Sequence, residues 1–334
     1  MTRAVADPRD EPAAGAAAPV AVAVVSWNTR ELLVRCLDSL APEVEAGRAA
    51  VWVIDNASSD GSAAAARARA PWARIVASGE NLGFGRAVNL VARRSTGEWL
   101  LAANADVALE GGALEAMLAT GGDPGVACVA PRLILPVGDT QHSVHPLPTI
   151  PFTLGFNLGL HRLSPARAER LCLEGFWDPE RPRDVPWAIG ACLLVRRAAF
   201  EAVGGFDARQ WMYAEDLDLG WRLHQAGWAT RYEPRARVLH NASTATTAAF
   251  GEDVMSRFMA ATYAALHRRR GPARAWTTAI LNVVGAAGRL AWMSPLAAIS
   301  PGWRGPRDLN RRWLTAHRRG LRSLRADARE TAAR

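Results

Sequence analysis

A chain of 334 residues with 49% hydrophobic and 22% charged residues is long enough for a sizeable core, and its composition is that of a globular protein. All 40 basic residues are arginine and the formal net charge is +8, yet Trp303 to Arg334 alone holds ten arginines against three acids, a surplus of seven. The body is therefore near neutral and the basic character is a tail, which argues against a nucleic-acid-binding core and directs the tail toward an anionic surface such as acidic lipid.

Residues 1–19 carry acids and prolines where a signal peptide needs an apolar core, so they read as a disordered leader and the chain as cytoplasmic. Cys36, Cys128, Cys172 and Cys192 show no C-x-x-C spacing and are expected to be reduced and buried. Val20 to Ser26 is a short apolar run of the kind buried on both faces of a sheet. Leu33, Leu37 and Leu40 give helical spacing to Arg30–Leu40. Ala50 to Ile54 is a second strand, ending on the turn-forming cluster Asp55 to Ser62. Then come a helix over Ala63–Ala70, a strand over Arg74–Ala77, a loop from Gly79 to Gly85 and a helix over Arg86–Arg94. Trp99 to Ala103 is the fourth strand, ending on Asn104-Ala105-Asp106, with a helix expected over Leu109–Ala119. Strands alternating with helices predict parallel βαβ units, a nucleotide-binding architecture whose ligands sit at the C-terminal strand ends.

The stretch from Trp187 to His240 is denser in chemistry. A strand is expected over Ile189–Val195, a helix start over Arg197–Val203, a Gly204-Gly205-Phe206-Asp207 turn, an amphipathic helix ending at Gly227, and a strand closing on His240. Glu215, Asp216 and Asp218 lie between apolar Met212-Tyr213 and Leu217/Leu219, where carboxylates are costly to bury without work or partners. Beyond it, Ala275–Gly288 is uncharged but only fourteen residues, short of the ~20 that span a bilayer. Trp276, Ile280, Val283, Ala287 and Leu290 fall on one helical face. With Trp303, Trp313, Leu314 and Leu321 among the arginines, this region reads as an interfacial anchor on the inner leaflet, or as a helical cap on the rest.

VSWN at 25–28, DNASSDGS at 55–62, NLGFGRAVN at 81–89, NADV at 104–107, GACLLVRR at 190–197, GGFD at 204–207, MYAEDLDLGWRLHQAGW at 212–228 and VLH at 238–240 occur in that order. Over roughly residues 20 to 242 the series resembles the family 2 glycosyltransferases of GT-A fold, notably bacterial rhamnosyltransferase-like members. The resemblance implies an α/β nucleotide-sugar-binding fold with a mostly parallel central sheet. Its catalytic domain would span 20–245, followed over 246–334 by a helical, basic, membrane-associating extension.

It further implies donor binding at Ser26, Trp27, Asn28, Asp55, Asn81, Gly83, Arg86, Asn104, Gly190 and Ala191, and an acceptor side at Trp187 and Trp211. Asp55 would accept from the imide N–H of uracil or thymine; a turn aspartate bonding its own backbone fits the bare chemistry as well. Asn81, Gly83, Gly85 and Arg86 offer amides, a helix dipole and a guanidinium to phosphate, or simply enter a helix. Val88 stands where a dinucleotide fingerprint needs its third small residue. Asn104-Ala105-Asp106 takes the place of the family's DxD motif with Asn for the first Asp. Asp106 and His240 would then hold Mg2+ or Mn2+, against the readings of an N-cap aspartate and a structural histidine. Asp216 would be the general base and Glu215 would orient the site, whereas first-turn acids are also favoured by the helix dipole. Asp218 suits that second role and can pair with Arg222 at i+4. Trp211 would stack on a sugar or belong to the core.

The expected function is inverting, metal-dependent transfer of a sugar, with rhamnose from dTDP-rhamnose the leading candidate, onto a hydroxyl of a lipid-linked saccharide in cell-envelope glycan synthesis. Expected partners are the nucleotide-diphosphate sugar, a polyprenyl-linked or glycolipid acceptor, the inner-leaflet anionic membrane and, as an open case, a second copy; nucleic acid is not among them. Other UDP- or GDP-sugars, a glycolipid or metabolite acceptor, and a non-catalytic nucleotide-sugar-binding scaffold stay open.

Overall fold

The computed structural model describes residues 18–242 and 251–332, so the expected leader over 1–19 lies outside the described residues except for its last two. In chain order the first half runs β1 (Val20–Ser26), α1 (Arg30–Glu45), β2 (Ala49–Asp55), α2 (Ser62–Arg69), β3 (Arg74–Ala77), α3 (Phe84–Arg94) and β4 (Trp99–Asn104). β1 lies between β2 and β4, parallel to both, and β3 is parallel to β2 on the outer side. Its side chains alternate with the pleat. Val20, Val22 and Val24 enter a core with α1, α2 and their neighbours, while Ala21 and Ala23 enter a second core with α3. A strand used on both faces must be apolar throughout, which is why this run carries no polar alternation.

The next elements are β5 (Val107–Leu109), α4 (Ala113–Gly121), β6 (Val126–Ile134), β7 (Val144–His145), α5 (Ile150–Asn157), α6 (Pro165–Arg170), β8 (Arg183–Val185), β9 (Trp187–Ala188), β10 (Cys192–Arg196), α7 (Arg197–Ala202), α8 (Glu215–Gln225) and β11 (Ala229–His240). The sheet order is β3-β2-β1-β4-β10-β6-β11-β5, with β8 on β11. β10 is antiparallel to both β4 and β6, and β11 is parallel to β6 but antiparallel to β5 and β8. The sheet is thus mixed, parallel in its first half and reversed around β10.

Two differences from the expected elements bear on the site. The helix after Asp106 starts at Ala113, not Leu109, because Val107–Leu109 pairs with β11 as β5. Asp106 is therefore not a helix cap; left-handed Gly112 occupies that position. The expected strand over Ile189–Val195 is broken: Ile189–Ala191 lies between β9 and β10, outside both strands. Its backbone reaches elsewhere, with Ile189 N–H donating to Ser143 O, Ala191 O accepting from Asn104 N–H, and Gly190 N–H free to leave the sheet.

Beyond residue 250, α9 (Val254–Arg270), α10 (Pro272–Ile299) and α11 (Arg304–Ala332) pack on one another. Met259, Tyr263, Leu266, Ala279 and Leu324 share a core with Trp187, Ala214, Leu217 and Trp221, so the helices rest on α8. α10 is longer than the uncharged run suggests. Arg289 is absorbed by Asn157 Oδ1 at 2.8 Å and Asn310 Oδ1 at 3.1 Å, and the helix continues through Pro295. Its orientation also differs from expectation: Trp276, Val283, Ala287 and Leu290 are half-buried, and the outward apolar residues are Ile280, Val284, Trp292 and Ile299. All four cysteines are buried and free.

Candidate active site

A cleft of about 330 Å³ opens at the C-terminal ends of β1 and β4. Tyr213 (φ 64) and Ala214 (φ 59) are consecutive left-handed residues without a glycine between them, a conformation costing on the order of 1–3 kcal/mol each that is retained where the surroundings dictate it. They turn the chain so that α8 starts at Glu215 on the cleft wall. There the broken strand matters: Gly190 N–H donates to Asp216 Oδ2 at 2.8 Å, and Leu217 N–H to Oδ1 at 2.7 Å. A Cβ at Gly190 would sit 3.4 Å from Asp216 Cβ and 3.5 Å from the Phe84 ring, ordinary van der Waals contact, so Gly190 lies directly against both.

Burial raises the pKa of both carboxyls, and each raises the other's difficulty in holding charge. They are not equivalent. Asp216 receives two backbone N–H groups, which favour its ionised form, while Glu215 Oε2 is buried without a hydrogen-bond partner and its pKa is pushed up to about 8. The two backbone N–H groups thus favour charge on Asp216 and leave the proton to Glu215.

On the same cleft wall His240 Nδ1 lies 2.6 Å from Gln141 Oε1. An amide oxygen only accepts, so Nδ1 carries a proton, and in that tautomer of the neutral ring Nε2 presents a lone pair. Nε2 faces Asp106 Oδ1 at 3.5 Å, a buried oxygen that itself lacks a hydrogen-bond partner. The two atoms together suit a shared cation. Among the described residues no group of three or more His, Cys, Asp or Glu forms a cage, so a divalent ion would take the rest of its shell from ligand oxygens and water, as Mg2+ ordinarily does.

Of the residues singled out in the sequence, Trp27, Asn81, Gly83, Asn104, Asp106, Gly190, Ala191, Glu215, Asp216 and His240 meet on this wall. The others do not line it. Ser26 Oγ is buried against Thr29 Oγ1, and Asn28 ties its loop to the next, its Oδ1 accepting from Ser59 N–H at 2.8 Å. Asp55 Oδ2 accepts from Ser58 N–H at 3.2 Å in its own turn, while Oδ1 is buried without a hydrogen-bond partner. Arg86 points away, toward Glu80 at 3.4 Å. Trp187 belongs to the core: its Nε1 donates to Pro146 O at 3.0 Å, and its Cβ leaves no room for a side chain at Gly220. Trp211 is 40% exposed and its Nε1 donates to Asn81 O at 3.1 Å.

Gly83 has a packing role as well as a place on the wall. With φ +76, a Cβ there would lie 2.0 Å from Trp211 O, so the loop at 81–85 crosses the loop at 211–214 at this glycine. Asn89 makes a second tie, exchanging hydrogen bonds with the backbone N–H and O of Phe206 at 2.9 and 2.8 Å. Cleft residues without a sequence signal of their own include Gln141 and Phe258, whereas Met212 and Tyr213 open the series at 212–228. Gln141 lies in an irregular loop with no motif, and only its bond to His240 reveals it. Asn56 could have been found, since it sits inside the DNASSDGS series.

Known proteins carry the same pattern. The model of glycosyl transferase family 2 matches residues 21–204, and that of glycosyl transferase family group 2 matches residues 180–317. The chain is 36% identical, over 67% of its length and 76% of the relative's, to the N-acetylglucosaminyl-diphospho-decaprenol L-rhamnosyltransferase of Mycobacterium tuberculosis. It is 43% identical over 17% of its length, and 22% of the relative's, to the rhamnosyltransferase WbbL of Escherichia coli. Among solved structures, the mannosyltransferase PcManGT of Pyrobaculum calidifontis, in complex with GDP-Man and Mn2+, superposes with a TM-score of 0.58 at 18% identity, covering 94% of this chain and 91% of that one. The fold, the ordered motifs and the family match agree: the chain belongs to glycosyltransferase family 2 and is a glycosyltransferase of GT-A fold.

Proposed function

We propose that the enzyme transfers rhamnose from dTDP-rhamnose, with inversion, to a hydroxyl of a lipid-diphosphate-linked saccharide. The observation that carries the reading is one cleft holding both a buried carboxylate oriented by two backbone N–H groups, Asp216, and the facing pair Asp106 and His240. Single displacement at an anomeric carbon needs a base for the incoming hydroxyl on the face opposite the departing diphosphate. Asp216 serves as that base, its orientation fixed by Gly190 and Leu217 N–H, and protonated Glu215 adds no competing charge beside it. A divalent cation held by Asp106 and His240 would neutralise the leaving diphosphate. The unpaired Asp55 Oδ1 suits a pyrimidine imide N–H, in keeping with a thymine or uracil nucleotide. Rhamnose and the lipid-linked acceptor rest on the name of the 36% identical relative. Binding of dTDP-rhamnose, UDP-glucose, UDP-galactose and GDP-mannose, each with Mn2+, checks the donor by calorimetry. The dTDP-sugar should bind tightest, and preference for GDP-mannose would overturn the donor assignment.

We further propose that the enzyme works from the cytoplasmic face of the plasma membrane. No helix among the described residues is long and apolar enough to cross a membrane. The outward face of α10 nevertheless adjoins α5 where Gly285 meets Asn157, and α5 and the turn after it leave Leu158 64% and Leu163 81% exposed, beside Val284 at 63% and Ile299 at 81%. Residues 150–163 and 272–299 contain Arg162, Arg274 and Arg289 and no acid. An apolar surface this broad with only positive charge suits the headgroup boundary of anionic lipid. Leu158→Glu with Val284→Glu is expected to abolish cosedimentation with phosphatidylglycerol vesicles; unchanged cosedimentation contradicts the proposal.

A further inference from the structure

A second, larger cavity of about 1120 Å³ adjoins the cleft, and Tyr213 and Phe258 line both. Its walls are the first turn of α9, with Asp253, Val254, Met255 and Ser256, and one stripe of α11, with Arg311, Arg312, Trp313, Thr315 and Arg319. Arg311, Thr315 and Arg319 recur every four residues, so they share a helix face. Among the described residues that line it are three arginines, of which Arg319 binds Asp253 together with Arg257 and Arg312 has a partner of its own. Guanidinium groups and apolar Val254, Met255, Phe258 and Trp313 thus share the described walls.

We propose that this groove binds the diphosphate of the lipid-linked acceptor. The inference rests on the transferase reading above and adds the place where the acceptor is held. In a lipid-diphosphate sugar the phosphate is attached to the ring whose hydroxyl is deprotonated. A site for it must therefore lie one sugar ring from the base and outside the donor's own phosphate pocket. Tyr213, the wall shared by the two cavities, is two residues before Glu215 and three before Asp216. Arg311 and Arg312 supply charge-assisted hydrogen bonds to the phosphate oxygens, the dipole at the start of α9 adds to the attraction, and Trp313 with Met255 packs against the first prenyl unit. The basic C-terminal stretch is then part of a substrate site in addition to any contact with lipid.

The test uses the full chain with the donor site saturated by dTDP and Mg2+, and farnesyl diphosphate as the probe. Calorimetry should give binding about tenfold or more weaker for Arg311→Gln/Arg312→Gln than for wild type. Farnesol, which lacks the phosphates, should bind both proteins equally poorly, and inorganic pyrophosphate should bind wild type more weakly than farnesyl diphosphate. In transfer assays the variant should raise the KM for a lipid-diphosphate acceptor and leave the donor KM unchanged. Both arginines are solvent-exposed, so folding is retained and unfolding midpoints should match. If farnesyl diphosphate binds through these arginines while wild type transfers no sugar, the groove stands and the transferase reading fails. If transfer proceeds with acceptor KM and farnesyl diphosphate affinity unchanged in the variant, the groove assignment fails. Pyrophosphate binding as tightly as farnesyl diphosphate would overturn the lipid part of the assignment.

Discussion

Asp216→Asn should lower the rate of sugar transfer by about 10²–10⁴-fold while donor affinity changes little. The substitution keeps the side chain's shape, and its remaining oxygen can still accept from Gly190 N–H, so the wall of the cleft survives. What disappears is the group that takes the acceptor's proton. The pH profile carries the same information. The base works when ionised, so kcat/KM falls as pH drops through its pKa. Because burial raises that pKa, the acid limb should lie above the range of an ordinary aspartate. Glu215→Gln replaces a carboxyl already protonated at neutral pH and is expected to be much milder. Steady-state kinetics with donor affinity measured separately decides the matter. Equal losses in both variants would mean that the two carboxyls do not divide the work as described.

The second large effect is on stability. Asp218 is fully buried and receives Arg222 Nε at 2.8 Å from its own helix and Arg269 Nη2 at 3.1 Å from α9. Asp207, from the Gly204-Gly205 turn, receives the same Arg269 group at 3.1 Å and Arg209 at 2.8 Å, and the hydrogen bonds from Arg209 hold its carboxyl well below the usual range. Arg268 bonds Gln210 and Arg270 stacks over Trp221 at 5.0 Å, so three consecutive arginines at the end of α9 clamp it to the start of α8. Asp218→Ala leaves Arg222 with a buried, uncompensated charge and takes one of Arg269's two carboxylates, and should destabilise the chain by about 3–5 kcal/mol. The exposed Arg257–Asp253 pair is the contrast, worth below about 1 kcal/mol. Urea unfolding of Asp218→Ala and Arg257→Ala gives the comparison. A loss under about 1 kcal/mol for Asp218→Ala would mean the clamp does not hold the helices in place.

Much of the first half could be read from its periods, because β1 to β4 are uniformly apolar runs punctuated by turn residues, and the structure moves their ends by only a residue or two. Local pattern could not reveal contacts made at a distance. Val107–Leu109 looks like the entry to a helix until β11 pairs with it, and nothing in Ile189–Ala191 announces that its backbone serves Asp216 and not the sheet. Arg268–Arg270 belongs to no motif, and its carboxylate and aromatic partners lie some fifty residues earlier. Trp187 and Trp211 show the same ambiguity resolved in opposite directions, one filling the core and one half-open beside Asn81. The motif residues themselves were legible because the cleft draws them from strand ends and adjacent loops, whereas Gln141 comes from an irregular loop and is fixed only by His240.

The most direct measurement is the product's anomeric configuration after incubating the enzyme with labelled dTDP-β-L-rhamnose, Mg2+ and a lipid-diphosphate N-acetylglucosamine acceptor, read by NMR. One displacement assisted by Asp216 predicts an α-linked rhamnoside, formed by wild type and lost in Asp216→Asn. A β-linked product would require two displacements and contradict the account, as would the absence of any transferred sugar.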